Sequence, residues 1–275
     1  MDAMHPAGSS SHTLSIADLR ARCAQFPPPH LLDVRRPAAF ERDPTMIPGA
    51  VRCPPDDVAA VADTLEPWRP VVTVCVHGHE VSQGAAAVLR ARGYDARALD
   101  GGHEQWRAEG GEAVPWRAPT HWVTRERPKV DRIACPWLVR RFVDPAAEFF
   151  YVPNADVRAF ARAHDATPYD IPDVEYAHDG PACSFDAFIR RHALADRALD
   201  RLATIVRGAD TAALDLAPQA PGLLAASLGL SRMFADDQAM LRWGMLVYDA
   251  LYAWCRDAIG ETHSWNPAPL RAVAT

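Results

Sequence analysis

The sequence predicts an α/β domain built on a parallel sheet, followed by a mostly α second domain, and three observations carry that expectation. From Leu14 to about Val114, short apolar runs alternate with amphipathic stretches. A segment rich in proline and mixed charge, "PWRAPTHWVTRER", then interrupts the pattern. Beyond it, apolar residues recur mainly at helical spacing. A chain of 275 residues also exceeds the commonest single-domain size and suits two domains of roughly 100 to 150 residues each.

In the first region, "SIADLRARCAQ" reads as a helix, and the rigid Pro27-Pro28-Pro29 leads into a buried strand, "HLLDV". "VVTVCV" has the continuous apolar character of a strand covered on both faces. "VSQGAAAVLRARG" is helical and stops at Gly93, after which "ARALD" reads as another strand. In the second region, "DRIACPWLVRRFVD", "ADVRAFARAHD", "SFDAFIRRHAL", "ADRALDRLATIVRGAD" and "ADDQAMLRWGMLVYDALYAWCRDAI" read as helices. "AEFFYVP" and "VEYAH" are the strand candidates there. The predicted boundaries are a first domain over 12–116, a linker over 117–127 and a second domain over 128–262.

Composition excludes several classes. With 49% hydrophobic and 23% charged residues the chain is that of a globular protein. A net charge of -6 attracts neither nucleic acid nor an anionic membrane. No run reaches the roughly 18 apolar residues of a membrane span, and "MDAMHPAGSSSH" lacks the pattern of a secretory signal, so a cytoplasmic location is expected. The six cysteines are scattered without a CxxC pair, which argues against a disulfide framework or a zinc ribbon.

One thiol stands out. Cys75 closes the apolar strand and Val81-Ser82-Gln83 opens the following helix, the place where parallel sheets bind ligands. A thiolate is the reactive form, and free amides at a helix N-terminus stabilise it or a bound oxyanion. The other reading of Cys75 is a buried strand-end thiol. His77 and His79 in the same loop can charge near neutral pH or serve as polar loop residues.

The pieces Asp33-Val34-Arg35, Ile47-Pro48-Gly49-Ala50, the six-residue loop Cys75 to Glu80, and Gly101-Gly102 followed by Trp106 resemble a rhodanese domain over about Leu14 to Val114. That resemblance implies a rhodanese-like fold and a sulfurtransferase that carries sulfane sulfur as a persulfide on Cys75, with His77, His79 and Glu80 as loop residues of the site. Family loops usually set an arginine next to the cysteine and another at the sixth position; this chain has Val76 and Glu80. An anionic donor thereby loses its cationic trap, and Glu80 is expected to favour a protein persulfide or a neutral thiol. Asp33 and Arg35 are expected to pin loops.

The stretches "RERPKVDRIACPWLVRRFVDPAAEFFYVP", "YAHDGPACSFDAF", "IVRGADT", "GLLAASLGLSR" and "LRWGMLVYDALYAWCRD" resemble the C-terminal domain of the ChrB-type chromate resistance proteins, over Trp122 to Asp257. The resemblance implies a role in chromate resistance, as a regulator or accessory factor. Read directly, Lys129, Arg132, Arg140 and Arg141 flank an apolar helix and offer bidentate hydrogen bonds to a tetrahedral oxyanion such as chromate, or else form a solvated face with structural ion pairs. Glu175 and His178, with Cys183 and Asp210, make a candidate O/N site for a divalent or ferric metal ion. The spacing of three puts Glu175 and His178 on one face of a helix but on opposite faces of a strand. In the last helix, Leu241, Met245, Tyr248, Leu251, Tyr252 and Cys255 follow core spacing. The expected partners are a small sulfur donor and acceptor or an oxyanion, with neither membrane nor nucleic acid. The competing class is a chromate or metal sensor that binds without catalysis and acts on a regulatory partner.

Overall fold

The computed structural model describes residues 12–262, which divide into two compact units at Arg117 and Ala118. The first contains β1 (Thr13–Leu14), α1 (Ile16–Cys23), β2 (His30–Asp33), α2 (Pro37–Arg42), β3 (Thr45–Met46), β4 (Ala50–Arg52), α3 (Val58–Val61), β5 (Val71–Val74), α4 (Glu80–Ala91), β6 (Ala96–Leu99), α5 (Gly102–Ala108) and β7 (Val114–Pro115). Five strands form a parallel sheet in the order β1-β6-β5-β2-β4. Every residue of β5 is buried, as suits a central strand of three valines and a threonine whose hydroxyl donates to the Ser82 carbonyl (2.8 Å). The chain leaves β2 toward β4 on one side and β5 toward β6 on the other. The C-terminal ends of β2 and β5 therefore flank the switch point where such sheets open a crevice.

Arg35 holds one wall of that crevice. Its guanidinium is 2% exposed; Nη2 pairs with Asp33 at 2.5 Å and also donates to the carbonyl of Thr45 (2.7 Å), while Nη1 donates to that of Asp43 (2.9 Å). The buried charge is fully compensated, and in return it fixes the loop after β2.

The second unit contains β8 (His121–Arg125), α6 (Asp131–Phe142), β9 (Glu148–Val152), α7 (Val157–Ala163), β10 (Thr167–Pro168), α8 (Ser184–Arg191), α9 (Arg197–Asp210), α10 (Ala220–Met233) and α11 (Asp237–Ala253), the last running into a π-turn at Trp254–Ala258. It is mostly helical, around a small parallel sheet in the order β10-β8-β9. Two local expectations change. The segment 117–127, read as a linker, contains β8, with Trp122, Val123 and Thr124 buried; flanking prolines and charges hid a strand of only three apolar-facing positions. "VEYAH" forms no strand and contributes one isolated bridge, between Tyr169 and Tyr176.

Pro136 sits inside α6 and has no N–H to give the carbonyl of Arg132 one turn earlier. That carbonyl instead accepts the hydroxyls of Tyr151 (3.1 Å) and Tyr169 (3.4 Å), so the sheet side of the domain supplies the missing donors. On the opposite side Asp249 of α11 accepts from Trp137 Nε1 (2.8 Å) and from Arg141 Nε (2.9 Å), tying α6 to α11. Leu241, Met245, Tyr248, Tyr252 and Cys255 are buried as expected, and Leu251 is half-buried.

Candidate functional sites at the mouths of two parallel sheets

Cys75 follows β5 directly and is 5% exposed, with its Sγ 3.0 Å from the hydroxyl of Ser82 in the first turns of α4. Ser82 also lies 3.2 Å from the carbonyl of His79. The hydroxyl can donate to that carbonyl while the sulfur is a thiol and turn to the sulfur when it is an anion. Four of the loop's carbonyls are occupied elsewhere. Those of Cys75 and Val76 accept from the amides of His103 (2.9 Å) and Glu104 (3.1 Å) at the start of α5. Those of Gly78 and His79 accept from the side chain (3.0 Å) and the amide (3.0 Å) of Gln83. Among the described hydrogen bonds, none has an amide of residues 76–80 as donor. A loop with its acceptors engaged and its donors available is suited to holding an anion.

Two glycines make this packing possible. Gly102, at φ +59°, comes so close that an added Cβ would lie 2.4 Å from the Cys75 carbonyl and 2.6 Å from the Gly78 nitrogen. Gly78, at φ +76°, would meet the Leu99 carbonyl at 2.4 Å. Gly102 is therefore part of the loop's mould, since any side chain there would push the two segments apart.

His77, His79 and Glu80 lie at the outer side of the loop and are exposed. His77 reaches Glu104 at 3.2 Å, and Glu80 occupies the first turn of α4, where the helix dipole favours a carboxylate. His103, which sequence reasoning passed over, is 3% exposed beside Asp43 (3.8 Å), and its Nε2 has no hydrogen-bond partner. Burial, then the charge of Arg35, hold its pKa below the usual imidazole range.

The second unit gathers a different group at the C-terminal end of its sheet. His178 Nε2 lies 3.1 Å from Asp210 Oδ2, 3.3 Å from Asp131 Oδ2 and 3.4 Å from Asp170 Oδ1. Asp131 opens α6 after β8, Asp170 follows β10, Asp210 ends α9, and His178 comes from the loop between Asp170 and α8. Asp170 is in the left-handed region (φ 51°), as is Val130 (φ 39°) just before Asp131, a costly conformation for a β-branched residue. Val130 is held by hydrogen bonds to Ser227 (2.8 Å) and Tyr248 (2.6 Å).

The electrostatics of this cluster are uneven. Burial works against the Asp170 carboxylate, but His178, Arg125 (2.7 Å) and Arg132 (3.1 Å) outweigh it and hold its pKa down. Burial pushes the Asp131 carboxyl up, offset only in part by His178. Burial and the neighbouring charge of Asp131 raise Asp210 to about 8. The carboxylates of Asp131 and Asp170 beside its ring raise His178 to about 10.

Of the expected metal residues, His178 and Asp210 come together, whereas Glu175 is exposed and pairs with Arg191 at 2.6 Å. The segment 175–178 is neither helix nor strand, so the periodicity argument had no purchase there. Cys183 precedes α8 as its N-cap, and burial raises its thiol far above the ordinary value. The proposed oxyanion fork is committed internally. Arg132 faces Asp170 and the Glu126 carbonyl (3.0 Å), and Arg140 donates to Ala147 (3.0 Å) while lying over Phe149; Lys129 is exposed. Helix position alone cannot reveal that these cations already have acceptors.

Comparison with known proteins matches residues 15–109 to the rhodanese-like domain and residues 122–255 to the C-terminal domain of ChrB. Thiosulfate sulfurtransferase GlpE of Pseudomonas savastanoi pv. phaseolicola is 38% identical over 79 residues, which is 28% of this chain and 72% of GlpE. Protein ChrB of Cupriavidus metallidurans is 34% identical over 145 residues, 50% of this chain; the match spans 43% of ChrB, less than half its length. The crystal structure of a rhodanese-related protein from Thermoplasma volcanium is 24% identical and covers 37% of this chain and 96% of its own, with a TM-score of 0.33. The cysteine loop with its glycine mould and the family match agree: the chain belongs to the rhodanese-like family through its first domain and joins it to a ChrB C-terminal domain.

Proposed function

We propose that the first domain carries sulfane sulfur as a persulfide on Cys75, in a protein of chromate resistance whose second domain serves recognition. The observation that carries this reading is the loop 75–80 itself, with the carbonyls of Cys75, Val76, Gly78 and His79 bonded elsewhere and its amides available around a sulfur at the sheet's switch point. The Cys75 thiolate attacks the outer sulfur of a persulfide donor, the donor's S–S bond breaks, and the donor leaves as a thiolate. The new Cys75 persulfide is an anion, stabilised by the loop amides and the N-terminus of α4. An acceptor nucleophile then takes the outer sulfur and Cys75 leaves as the thiolate, so sulfur moves without net oxidation. Glu80 and the absence of loop arginines favour a neutral or protein-borne donor over thiosulfate. Among the described residues, no helix is long and apolar enough to cross a membrane.

Mass spectrometry after incubation with a persulfide donor tests the reading: a gain of about 32 Da on Cys75 is expected, as one sulfur adds to the nucleophilic thiolate, and C75S should show none. Full sulfur transfer by C75S would refute it. The buried cluster around His178 favours a second reading, a binding protein, under which Cys75 stays unmodified and ligand appears only as a gain in thermal stability.

A further inference from the structure

We propose that Asp131, Asp170 and His178 of the second domain, with Asp210 beside them, form a binding site for one divalent transition-metal ion of the Mn2+, Fe2+ or Zn2+ class. Asp131, Asp170 and His178 each offer a ligand atom, all within 4.8 Å of one another, and Asp210 Oδ2 stands 3.1 Å from His178 Nε2. Three carboxylate oxygens thus converge on one nitrogen at 3.1, 3.3 and 3.4 Å. Donors held about 2.1 Å from a common ion are separated by ~3.0 Å at an octahedral edge and ~3.4 Å at a tetrahedral one, so these spacings are those of ligands around a metal.

Hydrogen bonding alone does not account for the arrangement. An imidazole Nε2 carries a single N–H, which can be directed at only one of three oxygens. Asp131 is 2% exposed, yet its Oδ2 receives no hydrogen bond of acceptable geometry while facing the centre of the cluster. An unsatisfied carboxylate oxygen at that depth is costly, and the one N–H of His178 cannot serve three carboxylates at once, so an ion among them would satisfy what the imidazole leaves over. Asp210 is the last residue of α9, where the helix's negative end repels a carboxylate and a cation compensates. The arginines do not reach that need: Arg125 and Arg132 both pair with Asp170 Oδ2, leaving its Oδ1 toward His178 and Ser184 (3.2 Å). They orient a ligand from behind, as outer partners of metal-binding carboxylates do.

The donor set selects the metal class. Carboxylates alone would suit Mg2+ or Ca2+, but an imidazole nitrogen at the centre shifts preference to the first transition row. Cys135 and Cys183 are buried in the same domain, but the ligand atoms that converge are those of Asp131, Asp170 and His178. The His178 side chain is 43% exposed whereas Asp131 and Asp170 are 2% and 5% exposed, so the site has one open side through which an ion enters.

The test uses the full chain, stripped with chelator and titrated with Mn2+, Zn2+ or Mg2+ while binding is followed by calorimetry and thermal melting. The expected result is about one equivalent of Mn2+ or Zn2+ bound with a rise in melting temperature, and much weaker binding of Mg2+. D131N, D210N and H178Q should each weaken binding at least tenfold, the loss typical of a disturbed metal shell. H178Q alters an exposed loop residue and keeps the assay meaningful should a buried aspartate variant misfold. E175Q, at an exposed ion pair with Arg191, should bind as the parent does. Failure of the stripped protein to take up Mn2+ or Zn2+, unchanged affinity in H178Q, or a loss in E175Q would each overturn the proposal. Persulfide formation on Cys75 is read separately and does not depend on the result.

Discussion

Both domains place their polar groups at the C-terminal mouth of a parallel sheet, yet they organise them by opposite means. In the rhodanese-like domain the backbone does the positioning: glycines bring the segments together, main-chain donors of α5 take the loop carbonyls, and one sulfur faces the result. In the ChrB domain four side chains from four separate places converge, and Tyr248, Ser227 and two arginines hold them there. A backbone-built site is encoded locally and is sensitive to an added methyl. A side-chain-built site depends on long-range packing and is sensitive to charge.

The sharpest contrast is between buried charge and backbone space. D249A removes the acceptor of Trp137 and leaves Arg141, 1% exposed, without its carboxylate; a loss of about 3–5 kcal/mol in denaturant unfolding of the second domain is expected. G102A should cost the first domain roughly 2–4 kcal/mol, because the methyl meets backbone atoms on a positive-φ residue, and should abolish sulfur loading on Cys75. If G102A loads normally, the loop is not moulded by that glycine and the contrast fails.

A pH series sharpens the comparison within the first domain. His103 is held neutral by burial and then by Arg35, so its folded pKa lies below that of the unfolded chain. Its contribution is present above about pH 6.5 and is lost as pH falls toward the depressed folded value, because the unfolded state binds the extra proton. Melting temperature should therefore drop between pH 7 and 5 in the parent, and the H103Q variant should show a shallower slope.

The smallest effect is expected at Glu80. E80Q removes a favourable charge from the first turn of α4, worth about 0.3–1 kcal/mol. Loading from thiosulfate should rise relative to loading from a neutral persulfide donor, as measured by the ratio of kcat/KM values. An unchanged ratio would remove Glu80 from donor selection and leave it a helix-terminal acid.

How much could be read beforehand follows from the same contrast. Cys75, Gly78, Gly101 and Gly102 stand in short, contiguous motifs, and the strand and helix around them are announced by unbroken apolar and helical periods. Ser82 was legible as a helix-opening residue, but its approach to the sulfur was not. In the second domain His178 and Asp210 were singled out, whereas Asp131 and Asp170 were not, since an acid in a helix's first turn and one in a loop carry no local mark of a shared site. Glu175 was chosen by spacing, and its loop has no period to make spacing meaningful. The strand β8 was masked because its five residues sit between prolines and charges.

The sequence by itself determined the two domains' secondary-structure alternation, the helical character of the second, and the position of a thiol at a strand end, because periodicity and turn residues act over a few neighbours. Tertiary structure decided which carboxylates share His178, which arginines are already paired, and that two glycine segments meet behind Cys75. Those contacts join residues far apart along the chain, and only the packing of sheet and helices sets the distances on which their electrostatics depend.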